Sequence, residues 1–281
     1  MQCCICNSLD NTRHYKVVDG YNLKKCNSCS LVYHDQIIAE AVSFVDEARV
    51  DFDKHMSKES EKKVVYWSFP EMHEKHRHVF EHFYAERFDR CKQFYPEMNS
   101  QFDVGSGFGF WMDFCKSKGL ETAGIDISEP AVNYCREKLK LDSQLSALND
   151  FRFDKQFDLY TCCDVLEHLA DPNIELQVLH RAMHKDSLLF IQVPDVVGFK
   201  YPYGYNLNLP HHLWQFNYES MNKLLKKNKF TILGSWHGIM GVVGYFERNE
   251  ASLLMRLKWK LASKFRLGNR LMILCRKQCS K

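Results

Sequence analysis

From residue 98 onward, strand-like apolar runs alternate with helical segments, and this alternation constrains the fold more than any other feature of the chain. "SQFDVGS", "ETAGIDIS", "QFDLYTCCDVLEHL" and "SLLFIQVPD" read as strands, the third running into a loop. "FWMDFCKSKG", "EPAVNYCREKLK" and "NIELQVLHRAMH" read as the helices between them. Strands joined through helices pair in parallel, with helices covering both faces. The fold class predicted is therefore α/β, a doubly wound, mostly parallel sheet. In such sheets ligands sit beyond the carboxyl ends of the strands.

The first of those ends carries "FDVGSGFGF", with Gly105, Gly107 and Gly109 at alternate positions behind Asp103. Glycines this dense permit sharp turns and close approach of a ligand to the main chain. Asp126 ends the second strand, seventeen residues past Gly109. From there a carboxylate accepts hydrogen bonds from two ribose hydroxyls; a helix cap or turn is the plainer role for the same residue. A dinucleotide fingerprint requires G-x-G-x-x-G, and the place of its third glycine holds Phe110. A dinucleotide enzyme is thus the weaker reading.

Ahead of this region, Cys3 and Cys6 form one CxxC and Cys26 and Cys29 another. Two such knuckles bring four thiolates onto one tetrahedral ion, the ligand set of a structural zinc site. "RHYKVVDGYNLKKC" reads as two short strands turning at Asp19-Gly20, and "SLVYH" can add a third. A zinc-ribbon-like module over residues 1–36 is expected, with Cys4 a bystander. A closed four-thiolate site is structural rather than catalytic.

With 281 residues, 45% of them hydrophobic, the chain has room for one α/β domain and a small appendage. A net charge of +3 neither announces a nucleic-acid binder nor excludes a local basic surface. The start of the sequence has no evident signal peptide, and no apolar run long enough to span a membrane occurs. Twelve cysteines then point to thiols and metal ligands in a reducing, cytoplasmic setting.

The ordered set "FDVGSGFGF", "GIDIS", "FDLYTCCDVLEHL" and "LLFIQVPD" resembles the class I S-adenosylmethionine-dependent methyltransferases. The similarity is greatest to the group carrying V-L-E-H-L after one strand and H-L-W-x-F after the next. It covers roughly residues 98–237 and 270–277 and implies a seven-stranded Rossmann-like methyltransferase fold for residues 98–281. It further implies that S-adenosyl-L-methionine is the methyl donor. Asp103, Gly105, Ser106, Gly107 and Gly109 would approach its methionine part. Asp126 would hold the ribose, and Ile127 would pack on adenine. Ala147 and Leu148 align with the third-strand adenine contact, although the match there is poor. Cys163 and Asp164 would close the methionine side.

Methyl transfer to a hydroxyl needs alignment of the reacting atoms and a base titrating near neutrality, for which histidine is suited. His212, in "LPHHLWQF", is the first candidate for base or substrate-orienting residue, and His168, in "VLEHL", the second. Either can instead simply bond a loop backbone. His73, His76, His78 and His82 lie in a helical stretch starting at Pro70, part of a helical bridge over residues 37–97; they read as solvated rather than metal-binding. Phe80, Phe83, Tyr84, Phe88 and Cys91 mark that helix's apolar face.

A basic amphipathic insertion at about 251–268 interrupts the last strand pair. Leu254, Leu257, Leu261 and Phe265 share one stripe, with Arg256, Lys260 and Arg266 elsewhere on the wheel. Packing of the stripe on its own domain is favoured over peripheral membrane contact through 252–267 or a grip on phosphates. The expected function is methyl transfer to a small-molecule or glycan-like acceptor, as O-methylation. The alternatives are an RNA methyltransferase using the ribbon and basic helix, and a non-catalytic cofactor-binding module. The acceptor and the oligomeric state are not legible.

Overall fold

Asp19 and Gly20 both adopt positive φ (50° and 83°), the backbone a two-residue hairpin turn requires. They join β1 (Thr12–Val18) to β2 (Tyr21–Cys26) as predicted, and β3 (Val32–Tyr33) follows in the same sheet. The structure is a computed structural model that describes residues 3–8, 11–34, 70–201, 207–238 and 253–278. Residues 35–69, on which part of the expected helical bridge falls, lie outside the described residues.

The second sheet is built from β4 (Ser100–Val104), β5 (Glu121–Asp126), β6 (Asp142–Leu145), β7 (Leu159–Cys163) and β8 (Leu188–Pro194). β10 (Phe230–Gly238) and β11 (Arg270–Lys277) complete it. The seven strands run in the order β10-β11-β8-β7-β4-β5-β6. All pairs among β4 to β8 are parallel, while β11 is antiparallel to both neighbours. This is the expected doubly wound, mostly parallel sheet. Its order reverses between β4 and β7, so the ends of β4, β5 and β7 converge on one crevice.

The first sheet gains a fourth strand from far along the chain. β9 (Trp214–Gln215) pairs with β3, Tyr33 opposite Trp214 and Val32 opposite Gln215. Cys3, Ile5, Leu31 and Tyr33 therefore belong to the same buried core as Phe102, Ile125, Leu189 and Trp214.

Before β4 come α1 (Pro70–Lys75) and α2 (Arg77–Phe94). Of the predicted apolar face of α2, Phe88 and Cys91 are fully buried, against Trp111 and Phe190. The expectation that the α1–α2 histidines are solvated fails for two of them. His73 and His76 are buried. The ring of His73 stacks flat on Phe110, with centroids 3.7 Å apart; aromatic burial outweighs imidazole solvation there and lowers its pKa to about 4.

Within the α/β region, α3 (Phe110–Ser117) and α4 (Glu129–Glu137) follow β4 and β5. α5 (Pro172–Ala182) begins at Asp171, whose side chain caps Asn173 N, with Pro172 in the first turn. α6 (Tyr218–Lys227), not singled out from the sequence, opens on a capping box between Asn217 and Ser220.

α7 (Leu253–Lys264) forms inside the late insertion. Its apolar stripe does not pack on the domain: Leu254, Leu257, Leu261 and Phe265 are all exposed. The favoured self-packing is thus corrected. The inward contacts come instead from Trp259 and Ala262, the side of the helix turned to β10.

Candidate functional site

The glycine loop folds back on the second strand. Gly105 N and Ser106 N both donate to the carbonyl of Ile125 at 2.9 Å. Gly105 has φ +72°, and a Cβ there would lie 2.4 Å from Val165 Cγ2. Gly109, φ +76°, begins α3, and its Cβ would meet Cys135 Sγ at 2.7 Å. Conformation and space each require glycine at both places. Gly107, between them, donates its N–H to Asp126 Oδ2 at 2.7 Å.

Asp126 also accepts from Ser128 N through Oδ1 at 2.8 Å. Two backbone donors thus hold the carboxylate at the tip of β5, and it lines a cavity of about 240 Å³. Asp126 thus takes the plainer turn role and borders the cavity as well. A carboxylate oxygen has more than one acceptor site, so a hydroxyl can share an oxygen with a backbone donor.

Asp103 lies behind the loop, only 5% exposed. Thr161 Oγ1 donates to it, and Thr161 accepts in turn from Gln101 Nε2 at 2.8 Å. Burial raises its pKa to about 7; the Thr161 bond and nearby Arg87 oppose that rise. Arg87, from α2, is sandwiched among aromatic faces, 4.8 Å from the Trp111 centroid and 5.1 Å from that of Phe190. Helix α2 therefore delivers positive charge beneath the loop.

Of the sequence-predicted residues, Gly105, Asp126, Ile127, Ala147, Leu148, Asp164 and His168 line the 240 Å³ cavity together. Asp103, Ser106, Gly107, Gly109, Cys163 and His212 do not border it. Asp164, at φ 59°, accepts from Gln192 Nε2 at 3.0 Å and pairs with Arg270. Cys163 is a neutral thiol, its pKa pushed up to about 12 by burial. Ser106 is buried, its hydroxyl 3.4 Å from that of Ser143.

At the cavity's edge, His168 meets a second histidine, His212. The ring of His168 stands edge-on to that of His212, centroids 4.7 Å apart. His168 Nδ1 lies 3.0 Å from the carbonyl of His211. A carbonyl can only accept, so Nδ1 carries the proton and Nε2 is the free base. Burial lowers the His168 pKa, keeping the ring neutral at pH 7. His212 is more deeply enclosed, and burial drives its pKa down to about 2. Glu167, 1% exposed, has neither carboxylate oxygen bonded among the described residues. Ligand atoms of Glu167, His168 and His212 lie within 4.8 Å of one another, close enough to share a metal ion.

At the ribbon, the sulfurs of Cys3, Cys6, Cys26 and Cys29 also lie within 4.8 Å of one another. Cys3 and Cys29 are 3.4 Å apart and Cys6 and Cys26 3.5 Å, spacings that suit four thiolates around one tetrahedral ion. A hydrogen bond from Cys29 lowers the Cys3 pKa to about 5, so one thiolate is present at neutral pH. Cys4 stays outside the group, burial raising its pKa. Its carbonyl instead accepts from Asn173 Nδ2 and Lys227 Nζ, each at 2.9 Å.

Sequence reasoning missed several participants. Glu175, from α5, lines the cavity with a pKa raised to about 7 by burial and then by Asp150 and Asp171. A hydrophobic helix position gave no signal for a carboxylate there. Asp195, just past β8, accepts from Lys200 Nζ at 2.6 Å and His237 Nε2 at 3.0 Å. His237 lies 42 residues further along the chain, and no short motif links it to Asp195. His237 also lines a wider cleft of about 910 Å³ between α2, the end of β10 and α7. That cleft includes no glycine-loop residue, so size alone does not mark the cofactor site.

A family model described as "Methyltransferase domain" matches residues 102–191. The chain is 35% identical over 77 residues to the ubiquinone biosynthesis O-methyltransferase of Azoarcus sp. (strain BH72), a match covering 25% of this chain and 33% of that protein. It is 29% identical over 100 residues to the protein of the same name from Glaesserella parasuis serovar 5, covering 32% and 42%. The chain thus spans about a third to two-fifths of the length of the curated relatives it matches. Among solved structures, an S-adenosylmethionine-dependent methyltransferase from Clostridium acetobutylicum ATCC 824 aligns with TM-score 0.54 at 11% identity, over 74% of this chain and 97% of that one. Haemonchus contortus phosphoethanolamine N-methyltransferase 2, in complex with S-adenosyl-L-methionine, aligns with TM-score 0.51 at 15% identity, over 69% and 53%. At these identities the likeness is one of fold, a seven-stranded Rossmann-like methyltransferase sheet.

Proposed function

We propose that this chain is an S-adenosylmethionine-dependent methyltransferase acting on a hydroxyl of a small-molecule acceptor. The observation that carries the reading is Asp126, held by Gly107 N and Ser128 N where it faces the same cavity as Gly105. Asp126 takes the ribose hydroxyls. Ile127, Ala147 and Leu148 offer an apolar wall for adenine, and Glu175 a polar end to it. The loop from Asp103 to Gly109 receives the methionine part, closed by Cys163 and Asp164. The bound donor supplies an electrophilic methyl carbon. His168 Nε2 then accepts the acceptor's hydroxyl proton, its ring fixed by the His211 carbonyl, with His212 packed against it as a positioning residue. A hydroxyl acceptor is supported by the O-methyltransferase names of the relatives.

Zinc on Cys3, Cys6, Cys26 and Cys29 has a structural role in this reading. A second reading of the histidine pair is favoured by Glu167, whose buried carboxylate has no partner among the described residues. A divalent cation held by Glu167, His168 and His212 would satisfy it. Metal analysis after dialysis separates the two: more than one ion per chain supports the cation, one supports the base. The function itself is tested by calorimetry with S-adenosylmethionine and S-adenosylhomocysteine, followed by transfer of labelled methyl to a panel of phenolic and sugar hydroxyls. Absence of binding heat for both nucleosides rejects it.

A further inference from the structure

The outer face of α7 has the composition of a helix that lies on a lipid surface. At about 100° per residue, Leu253, Leu257, Leu261, Leu254 and Phe265 fall within one arc of about 120°. They are 85, 51, 43, 60 and 64% exposed. Phe265 stays in helical register, its N–H bonded to the Leu261 carbonyl at 2.9 Å. Lys258 and Lys260 flank the arc and Lys264 lies within it, all three exposed.

The opposite side of the helix attaches it to the protein. Ala262 is buried, Trp259 half-buried, and Ser263 Oγ donates to the carbonyl of His237. The apolar arc is therefore not spent on holding α7 in place. Contiguous exposed apolar surface of this kind marks an interaction site. Charge identifies the partner: from Ala251 to Asn269 the sequence has five cationic side chains and no acidic one.

We propose that α7 docks this protein on an anionic phospholipid surface. The four leucines and Phe265 enter the boundary between headgroups and acyl chains, while Lys258, Lys260 and Lys264 reach the phosphates. With twelve residues, α7 is too short to cross a bilayer, which takes about 20, so it lies in the plane. RNA would use the same cations but leave five apolar side chains in water, which favours lipid. The helix also forms one wall of the 910 Å³ cleft through Trp259, Lys260, Ser263 and Lys264, so docking sets that cleft beside the bilayer.

The test uses the whole protein and needs no methyl donor, so its outcome is independent of the methyl-transfer reading. Sedimentation is measured with phosphatidylcholine vesicles, with and without phosphatidylglycerol, and binding is measured separately to a single-stranded RNA. Binding is expected only with phosphatidylglycerol, and high salt should release it. Lys258→Gln/Lys260→Gln/Lys264→Gln together should weaken partition about 100-fold, at about tenfold per one to two charges. Leu257→Ser/Leu261→Ser should abolish it while leaving the melting temperature unchanged, since both positions are exposed. Partition that ignores phosphatidylglycerol, survives both variants or is replaced by RNA binding alone overturns the proposal.

Discussion

Leu213 donates its backbone N–H to the carbonyl of Glu167 at 2.8 Å. That bond joins the His212 segment to the His168 turn, and the next residue, Trp214, pairs with Tyr33 of the ribbon. A continuous hydrogen-bonded path thus runs from the cysteine knuckles to the histidine pair. The knuckles are anchored from the other side too: Asn217 Nδ2 donates to the Ser30 carbonyl at 2.9 Å, and Ser30 Oγ to Glu219 Oε2 at 2.6 Å.

Cys29→Ser should therefore disturb the histidine pair as well as the ribbon. The variant is expected to lose, by atomic emission, the zinc proposed for the four cysteines and to melt several degrees lower, because ribbon residues share the main core. Methyl transfer should fall more than donor affinity. A variant that loses zinc but keeps its melting point and full turnover would show the ribbon to be uncoupled.

Asp126→Ala removes the acceptor of Gly107 N and Ser128 N along with the proposed ribose contact. A charged hydrogen bond is worth about 2 kcal/mol, so donor affinity should drop roughly 30-fold or more in calorimetry. Asp126→Asn, which retains one acceptor oxygen, should lie between.

Gly105→Ala brings a methyl to 2.4 Å from Val165 Cγ2 at a positive φ. The conformation alone costs roughly 1–2 kcal/mol, and the displaced Val165 lines the cavity. Donor binding should be undetectable in the variant. Val165→Ala in the same background should recover part of it, because the clash and not the backbone is then relieved.

His168→Gln is expected to lower the transfer rate about 100-fold with donor affinity within twofold of the parent. His212→Gln should act mainly on stability, its ring being buried against His168. Equal rate losses in both variants at unchanged stability would return the base role to His212.

Asp103 sets a pH dependence. Its pKa rises from 3.8 to about 7 on folding, so the folded protein holds this proton more tightly than the unfolded chain. Its contribution to stability is full below about pH 4 and is lost as pH rises through about 7. A cationic ammonium favours the ionised form, so donor affinity should instead rise across that window. Calorimetry and melting at about pH 6 and about pH 8 should show opposite trends, both flattened in Asp103→Asn.

Local chemistry made much of this legible. The period switch from strand to helix, the Asp19-Gly20 turn, the CxxC pairs and the glycine loop each rest on residues close in sequence, so their geometry could be read from spacing. The β3–β9 pair could not, because two-residue strands carry no periodicity. The burial of His73 was hidden for a similar reason: its partner, Phe110, lies on another helix. The ranking of His168 and His212 turned on a carbonyl contact that no motif encodes. The stripe on α7 was visible, but whether it faced protein or solvent depended on which side β10 offers.

The pairing of Val32 with Gln215 spans about 180 residues of chain. During synthesis, the two knuckles can capture an ion as soon as Cys29 emerges, yet their sheet must wait for nearly the whole α/β unit. Closing so large a loop is entropically slow, and the proposed ion would hold one end of it ready. Pulse-labelled exchange should accordingly find Val32 and Trp214 amides gaining protection in the same late step, after those of β4 and β5.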